Sequence, residues 1–321
     1  MQAEGWLEGS VRQNCGRLGQ ELYPYRSGLV ERIQQAPAKG YLVVDLHPIE
    51  HNGQNMEGTH KVYSSADKAS FWGHSLVSWG LVYPHQEVYP LGLSPFPNQA
   101  MATQDYPQLT PSEAMLNGVA ELVELGYRME AVVADAQFTT RLGLRSLKYL
   151  KTPFIGRFRT NAWISYRGKP IQVKQLATQY PPGKAHYYKR FKCYAKRLRV
   201  ELESVGFLDL ILIWKPQGHD FELMTLISTL EAGLQTILQA WKLRWDLEVA
   251  HRLYKQNLGI SACQCRNFAA QLKHYDLTLT AFHRCRNLKI QHPQFTWRQA
   301  QSQAAAAIRD HLLTELIPQS A

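Results

Sequence analysis

The stretch Trp241-Lys-Leu-Arg-Trp-Asp-Leu-Glu-Val-Ala-His-Arg-Leu-Tyr-Lys255 is the most informative part of this 321-residue chain. Helical periodicity runs from about Leu230 to Lys255 and predicts a helix there. One face of that helix carries Trp241, Arg244, Glu248 and Lys255. At about 100° per residue, these four positions lie within a sector of roughly 60°. A carboxylate flanked by cations in this way can bind a metal ion while its neighbours bind phosphates.

Simpler interpretations of the same helix remain open. Glu248 has Arg244 and Arg252 four residues away on either side, which is typical of a helical salt bridge. Trp241 and Trp245 are equally compatible with core packing. The helix alone therefore does not decide between a site and a structural face.

Two apolar runs upstream each carry an aspartate. Tyr41-Leu-Val-Val-Asp-Leu46 and Ala131-Val-Val-Ala-Asp135 are predicted to be short buried strands. Carboxylates at the ends of adjacent strands can converge, and one from a helix that crosses the sheet can join them. Such oxygen ligands suit Mg²⁺ or Mn²⁺, and two ions roughly 4 Å apart support phosphodiester chemistry. Asp45, Asp135 and Glu248 are therefore the predicted metal ligands and catalytic residues, although each aspartate alone is also typical of a cap or turn.

The charge of the chain is unevenly distributed. The net charge is +10, and residues 136–200 contain 16 Lys and Arg but no Asp or Glu. In the densest part, basic residues alternate with Tyr187, Tyr188, Phe191 and Tyr194, a composition that suits phosphate neutralisation and base stacking. The predicted nucleic-acid contacts in this part are Lys189, Arg190, Lys192, Lys196, Arg197 and Arg199. A solvated basic face, or a patch that meets an acidic protein, would have the same composition.

Other features narrow the function class. No run of 18 apolar residues and no signal-peptide pattern is present, and five cysteines do not indicate a disulfide framework, so a cytoplasmic protein without a membrane partner is expected. Glycine-rich phosphate loops and Gly-x-Ser-x-Gly elbows are absent. Cys263, Cys265, His283 and Cys285 permit a zinc site, but a single residue between two cysteines favours incidental or buried thiols.

Several further elements are predicted. Thr110-Pro-Ser-Glu113 is typical of a capped helix start, and the helix has an apolar face at Met115, Val119, Leu122, Val123 and Leu125. A polar loop is expected from Leu46 to about Lys68, followed by strands at 71–79 and 81–84. A helix at 142–149 and a strand at 153–156 come next. Short strands at 200–202, 208–214 and 222–227 indicate a mostly β region.

These motifs resemble the DDE transposases of bacterial insertion sequences, in the branch with a tyrosine–arginine–glutamate–lysine signature. That signature is Tyr, two residues, Arg, three residues, Glu, six residues, Lys; this chain matches it at Arg244, Glu248 and Lys255 and has Trp241 at the tyrosine position. Val43-Val-Asp45, Val133-Ala-Asp-Ala-Gln-Phe138 and Lys255-Gln-Asn-Leu-Gly-Ile260 are similar to other family segments. The resemblance covers roughly residues 40–285.

The resemblance implies an α/β fold with an RNase H-like mixed sheet flanked by helices and a mostly β insertion before the catalytic helix. The implied segments are an N-terminal region at 1–39, the first part of the core at 40–160, a basic insertion at 161–230, the rest of the core at 231–290 and a helical tail at 291–321. His47 follows Asp45 where the family more often has a small hydroxyl residue. As a loop histidine it is expected to bind backbone or a phosphate.

The resemblance also implies a function. We expect a transposase that cleaves and joins double-stranded DNA at insertion-sequence ends with two Mg²⁺ or Mn²⁺ ions, as a homodimer on the nucleoid. Arg244, Lys255 and Arg252 are expected to contact DNA, with Trp241 stacking near the cleaved phosphate. The alternatives are a transposase-derived DNA-binding protein that has lost catalysis, and an RNase H-fold nuclease without strand transfer.

Overall fold

The structure is a computed structural model that describes residues 30–51, 56–64, 69–84, 88–95, 109–263 and 265–316. The predicted N-terminal region at 1–39 lies largely outside these residues, and its described end is helical at 30–35. In the part of the chain that the structure describes, no helix is long and apolar enough to cross a membrane.

The described strands form one large mixed sheet. They are β1 Tyr41–Glu50, β2 His60–Ser64, β3 Ala69–Val82, β4 Tyr89–Pro95, β5 Ala131–Ala134, β6 Phe154–Arg157, β7 Trp163–Tyr166, β8 Lys169–Gln172, β9 His186–Tyr188, β10 Cys193–Leu202, β11 Gly206–Gln217 and β12 Asp220–Ser228. Their order is β2-β3-β1-β5-β6-β12-β11-β10-β7-β8, with β4 beside β3 and β9 beside β10. Strands β1, β5 and β6 are parallel to one another, and the other pairings are antiparallel.

Helices cover both faces of this sheet. They are α1 Pro111–Glu124, α2 Arg141–Tyr149, α3 Val173–Gln179, α4 Leu234–Leu243, α5 Trp245–Gln256, α6 Phe268–Gln291 and α7 Trp297–Leu316. The chain is therefore an α/β protein with a large mixed sheet flanked by helices, as expected for the fold class.

Alternating side chains on the strands divide the core into two layers. Leu42 and Val44 of β1 pack in the layer that includes α1 and α2. Val43 and Val133 pack in the opposite layer, with α4, α5 and α6. We call this second layer the α5 face. Because side chains two residues apart share a face, Asp45 and Asp135 follow Val43 and Val133 onto the α5 face.

The predicted mostly β region at 161–230 continues the main sheet. Its strands β10, β11 and β12 include the predicted segments and extend beyond them. Strand β12 pairs with β6, so hydrogen bonding passes without interruption from the first half of the sheet into this region. Its antiparallel hairpins allow apolar side chains on both faces to join the two core layers.

Several boundary predictions were wrong around β1 and β3. Strand β1 continues to Glu50 instead of ending near Leu46, because β3 pairs with it along its whole length. The expected polar loop contains β2, and the two expected strands at 71–84 form the single strand β3. Polar and glycine residues such as Gly73, Ser75 and Ser78 interrupt the apolar pattern of β3 without interrupting its backbone pairing.

The predicted start of helix α1 is confirmed. The Thr110 hydroxyl accepts a hydrogen bond from the Glu113 amide, and the Glu113 carboxylate accepts one from the Thr110 amide. The predicted apolar face is only partly correct, since Val123 and Leu125 near the end of the helix are exposed. The helix predicted from Leu230 begins at Leu234 and is interrupted at Arg244.

Candidate carboxylate site

Strand pairing brings the two predicted aspartates next to each other. Val44 of β1 lies opposite Ala134 of β5, and these are the last paired residues of the two parallel strands. Asp45 and Asp135 come directly after them. The prediction that Asp45 ends its strand is therefore wrong. Asp45 nevertheless lies where the pairing of β1 with β5 ends.

Arg244 connects Asp45 to Glu248. Its Nη1 lies 3.5 Å from Asp45 Oδ2 and its Nη2 lies 2.7 Å from Glu248 Oε1. The Arg244 guanidinium also lies over the Trp241 ring, 5.2 Å from its centroid. Because Arg244 has helical backbone angles of φ −53° and ψ −33°, the predicted helix face of Trp241, Arg244, Glu248 and Lys255, which we call the stripe, continues across the break between α4 and α5. Trp241 and Glu248 thus both contact Arg244, which in turn reaches Asp45.

The Asp45 carboxyl has a strongly perturbed acidity. Its pKa is raised from 3.8 to about 6, chiefly by burial and also by the nearby carboxylates of Glu248 and Asp135, against the opposing effect of Arg244. The Leu46 amide donates to Asp45 Oδ1 at 3.0 Å and also favours the ionised form. Two neighbouring negative charges thus act on Asp45, with Arg244 as a partial counter-charge.

Asp135 has polar capacity that the described protein groups do not use. Its Oδ1 is buried and has no hydrogen-bond partner among the described residues. Its backbone carbonyl, by contrast, accepts hydrogen bonds from the Phe138 amide and the Thr139 hydroxyl, which fixes the turn after β5. A buried carboxylate oxygen without a donor is suited to a hard cation.

A preformed metal site is nevertheless not complete. Among the described residues, no group of three His, Cys, Asp or Glu side chains is arranged to hold a metal ion. The Arg244 guanidinium occupies the space between Asp45 and Glu248, where their oxygens would otherwise approach one ion. The donor chemistry fits Mg²⁺ or Mn²⁺, but binding requires Arg244 to move away from the two carboxylates.

Two histidines next to the carboxylates were not predicted as a pair. His47 lies on β1 and is buried, so it is not the expected loop histidine. Its ring packs 4.1 Å from that of His251, one turn after Glu248 on α5. The buried Nε2 atoms of both rings and the Tyr254 hydroxyl have no hydrogen-bond partner among the described residues. Their spacing from Asp45 and Glu248, +2 on a strand and +3 on a helix, could have revealed this pair.

Burial keeps both histidines neutral. It lowers the pKa of His47 well below its ordinary value and that of His251 to about 3, and the ammonium of Lys255 contributes to both shifts. Lys255, the fourth member of the predicted stripe, is thus close enough to act on this pair from its exposed position. Arg252 is also exposed on α5.

The predicted basic DNA contacts do not form one patch. Arg197 and Arg199 lie on the α5 face of β10, and both make ion pairs with the buried Asp209 of β11, at 3.0 and 3.2 Å. They line a groove of about 1010 Å³ together with Lys148 and Lys151. The four other predicted contacts lie elsewhere, with Lys196 on the opposite face of β10 and three exposed lysine and arginine residues before it, Lys189, Arg190 and Lys192.

The residues considered for zinc lie in different surroundings. Cys263 and Cys285 are buried, whereas Cys265 is exposed. His283 contacts the Pro90 carbonyl through its Nε2 at 2.6 Å, so this nitrogen is already used.

Comparisons with known proteins identify no family. No protein-family model matches the chain, and no curated protein matches it. The functional interpretation of the carboxylate site therefore depends on its residues and their geometry.

Proposed function

We propose that this chain is a DNA transposase that cleaves and joins phosphodiester bonds through metal ions held by Asp45, Asp135 and Glu248. The observation that carries the proposal is that Asp45 of β1 and Glu248 of α5 share one cation, Arg244, while Asp135 directly follows the β5 residue paired beside Asp45. An α/β fold with a large mixed sheet is compatible with the RNase H-like fold that the resemblance implies. The substrate is double-stranded DNA at element ends, and two copies of the chain would hold two ends.

The acidic residues have the properties that metal binding requires. With a pKa of about 6, Asp45 is mostly ionised at neutral pH and can be a ligand. Asp135 contributes a buried oxygen without a donor, and Glu248 can exchange its arginine partner for an ion. When bound, two Mg²⁺ or Mn²⁺ ions lower the pKa of an attacking water or hydroxyl and neutralise charge on the phosphate.

Arg244 has two roles in this proposal. In the metal-free protein it offsets the repulsion between Asp45 and Glu248, which would otherwise oppose folding. Once it leaves them, its guanidinium is available to a phosphate oxygen of the bound DNA, and a planar fork suits that contact. Lys255, exposed on the same helix, supplies a second positive charge near the phosphates.

The experiment compares DNA binding with DNA cleavage for conservative variants. Asp45→Asn, Asp135→Asn and Glu248→Gln keep side-chain volume and remove one charge each. We expect each to abolish nicking and joining of DNA in Mg²⁺ or Mn²⁺ while binding of duplex DNA is retained. Glu124→Gln is the control, because Glu124 is an exposed carboxylate at the end of α1 on the opposite side of the sheet from the α5 face, and it should leave cleavage intact.

The products distinguish the two alternative functions. A DNA-binding protein without catalysis is the second candidate. It is favoured by the position of Arg244, which fills the space between the proposed metal ligands Asp45 and Glu248. Unmutated protein that binds DNA but never nicks it in either metal would establish that candidate and overturn the proposal. Cleaved ends that are never joined to target DNA would identify a nuclease instead of a transposase.

A further inference from the structure

A row of aromatic side chains lies on the face of the sheet opposite the α5 face. Strand β10 alternates, so Arg197 and Arg199 lie on the α5 face while Tyr194 and Lys196 lie on the other. The row, which we call the aromatic strip, consists of Tyr166, Tyr180, Tyr187, Tyr194, Lys196 and Phe221.

Three rings form the more exposed end of the strip. Tyr187 of β9 is the register partner of Tyr194 on β10, and their ring centroids lie 4.9 Å apart. Phe221 of β12 lies on the other side of Tyr194, with centroids 5.7 Å apart and rings nearly perpendicular. Tyr187 is 44% exposed and Phe221 is 45% exposed. Both rings are therefore partly accessible to a partner.

Lys196 links these rings to the second end of the strip. Its ammonium lies 5.9 Å from the centroid of the Tyr180 ring, a cation–π distance. The hydroxyl groups of Tyr180 and Tyr166 are 2.6 Å apart and share a hydrogen bond. Arg167 then places its guanidinium over Tyr166 at 5.1 Å. Cations and rings thus alternate along the strip.

The charge along the β9 and β10 part of the strip is positive, whereas Phe221 on β12 is flanked in sequence by the exposed Asp220 and Glu222, which have the parity of the α5 face. The loop between Tyr187 and Tyr194 carries three exposed basic residues, Lys189, Arg190 and Lys192. The whole stretch from 136 to 200 lacks acidic residues. The next acid on β10, Glu201, has the parity of the α5 face and so lies on the other side. Asp209, which neutralises Arg197 and Arg199, is likewise on that side.

We propose that the aromatic strip is a binding site for single-stranded DNA, separate from the carboxylate site. Aromatic faces bind unpaired bases by stacking, and the neighbouring ammonium and guanidinium groups neutralise the phosphates that connect them. A duplex keeps its base faces covered, so the exposed rings select for a single strand. The choice of DNA over RNA rests on the proposed function, whereas the stacking site itself does not.

The test measures the affinity of the full chain for fluorescein-labelled oligothymidylate of 20 nucleotides by fluorescence anisotropy at fixed salt. Removing one stacking ring is expected to weaken binding by about 5- to 150-fold. Tyr187→Ala and Phe221→Ala should each show this loss, and Tyr187→Phe should not, because the ring and not the hydroxyl binds. Both positions are exposed, so these variants should fold normally, as circular dichroism can verify.

Phe207→Ala is the matched control. Phe207 is 64% exposed on β11, on the α5 face, so losing its ring should leave the affinity for the single strand unchanged. Binding of a 20-base-pair duplex should be unchanged in all four variants. Equal losses in Phe207→Ala and Phe221→Ala, or no loss in Tyr187→Ala and Phe221→Ala, overturns the strip as a binding site. Tighter binding of the matching RNA oligomer overturns its assignment to DNA.

Binding of oligothymidylate by the aromatic strip should not depend on the carboxylate site. Asp45→Asn should lose cleavage while its affinity for oligothymidylate stays at the wild-type value. Cleavage without ring-dependent binding of the single strand would leave the proposed function standing and refute the strip alone.

Discussion

Replacing Asp45 with asparagine should make the metal-free protein more stable at neutral pH. The pKa of Asp45 rises from 3.8 to about 6 on folding, and a tenfold change in an acid constant corresponds to about 1.36 kcal/mol. Ionised Asp45 therefore lowers the free energy of unfolding by about 3 kcal/mol. Asparagine removes the charge and leaves Arg244 its shorter contact with Glu248, at 2.7 Å.

The stability gained by Asp45→Asn should depend on pH. A raised pKa means that the folded state binds the proton more tightly, so the contribution of Asp45 is most favourable below pH 3.8 and is lost as the pH rises through about 6. The advantage of Asp45→Asn should thus be small near pH 4, grow between pH 4 and 6 and remain at its maximum of about 3 kcal/mol above pH 7.

Urea unfolding in the presence of a chelator at pH 4, 6 and 8 measures this advantage. Asp209→Asn is the control with the opposite sign, because it removes the shared partner of Arg197 and Arg199 and should destabilise the protein at pH 8. A loss of stability in Asp45→Asn at pH 8, or a gain of the same size at pH 4, would refute the assignment of repulsion and burial to Asp45. Mg²⁺ in place of the chelator should reduce the difference in free energy of unfolding between Asp45→Asn and the unmutated protein, because it should stabilise only the unmutated protein.

Three other substitutions test the surroundings of the site and the helix that packs behind it. Arg244→Met should lower the free energy of unfolding in chelator by about 1–3 kcal/mol, since it leaves neighbouring part-buried carboxylates without their hydrogen-bond donor, and thermal melts should show partial recovery with Mg²⁺. Thr110→Ala removes a cap from α1 and should cost about 1 kcal/mol in urea unfolding. Gly118→Ala places a Cβ only 2.5 Å from the Trp79 ring and should cost about 1–3 kcal/mol. Gly183→Ala, which meets open space, should be neutral in the same assay.

Elements with local determinants were predictable from the sequence. The capping pair Thr110 and Glu113 defines where α1 begins, and four consecutive apolar residues define β5. The helical spacing from Trp241 to Glu248 predicted which side chains would meet, although the backbone changes its hydrogen bonding at Arg244. In each case the interacting residues are near one another in the chain.

Features that depend on distant partners were not predictable. Strand β1 continues past Asp45 only because β3 pairs with it, and β4 was missed because Pro90 and Gly92 weaken its pattern. The acid that neutralises Arg197 and Arg199 comes from a different strand, so the basic run appeared more uniform than it is. The contact between His47 and His251 likewise joins residues about 200 positions apart.

The continuous sheet has a consequence for how the chain folds. Strand β6 pairs with β12, which follows it by roughly 70 residues, as in the partners Arg157 and Leu226. During synthesis at roughly 5–20 residues per second, one edge of β6 stays without its partner for several seconds. Contacts so distant in sequence slow folding, and an open apolar edge favours aggregation. We therefore expect chaperones to protect the unpaired edge of β6 until β12 has been synthesised. The yield of folded protein on expression should then depend on chaperone supply.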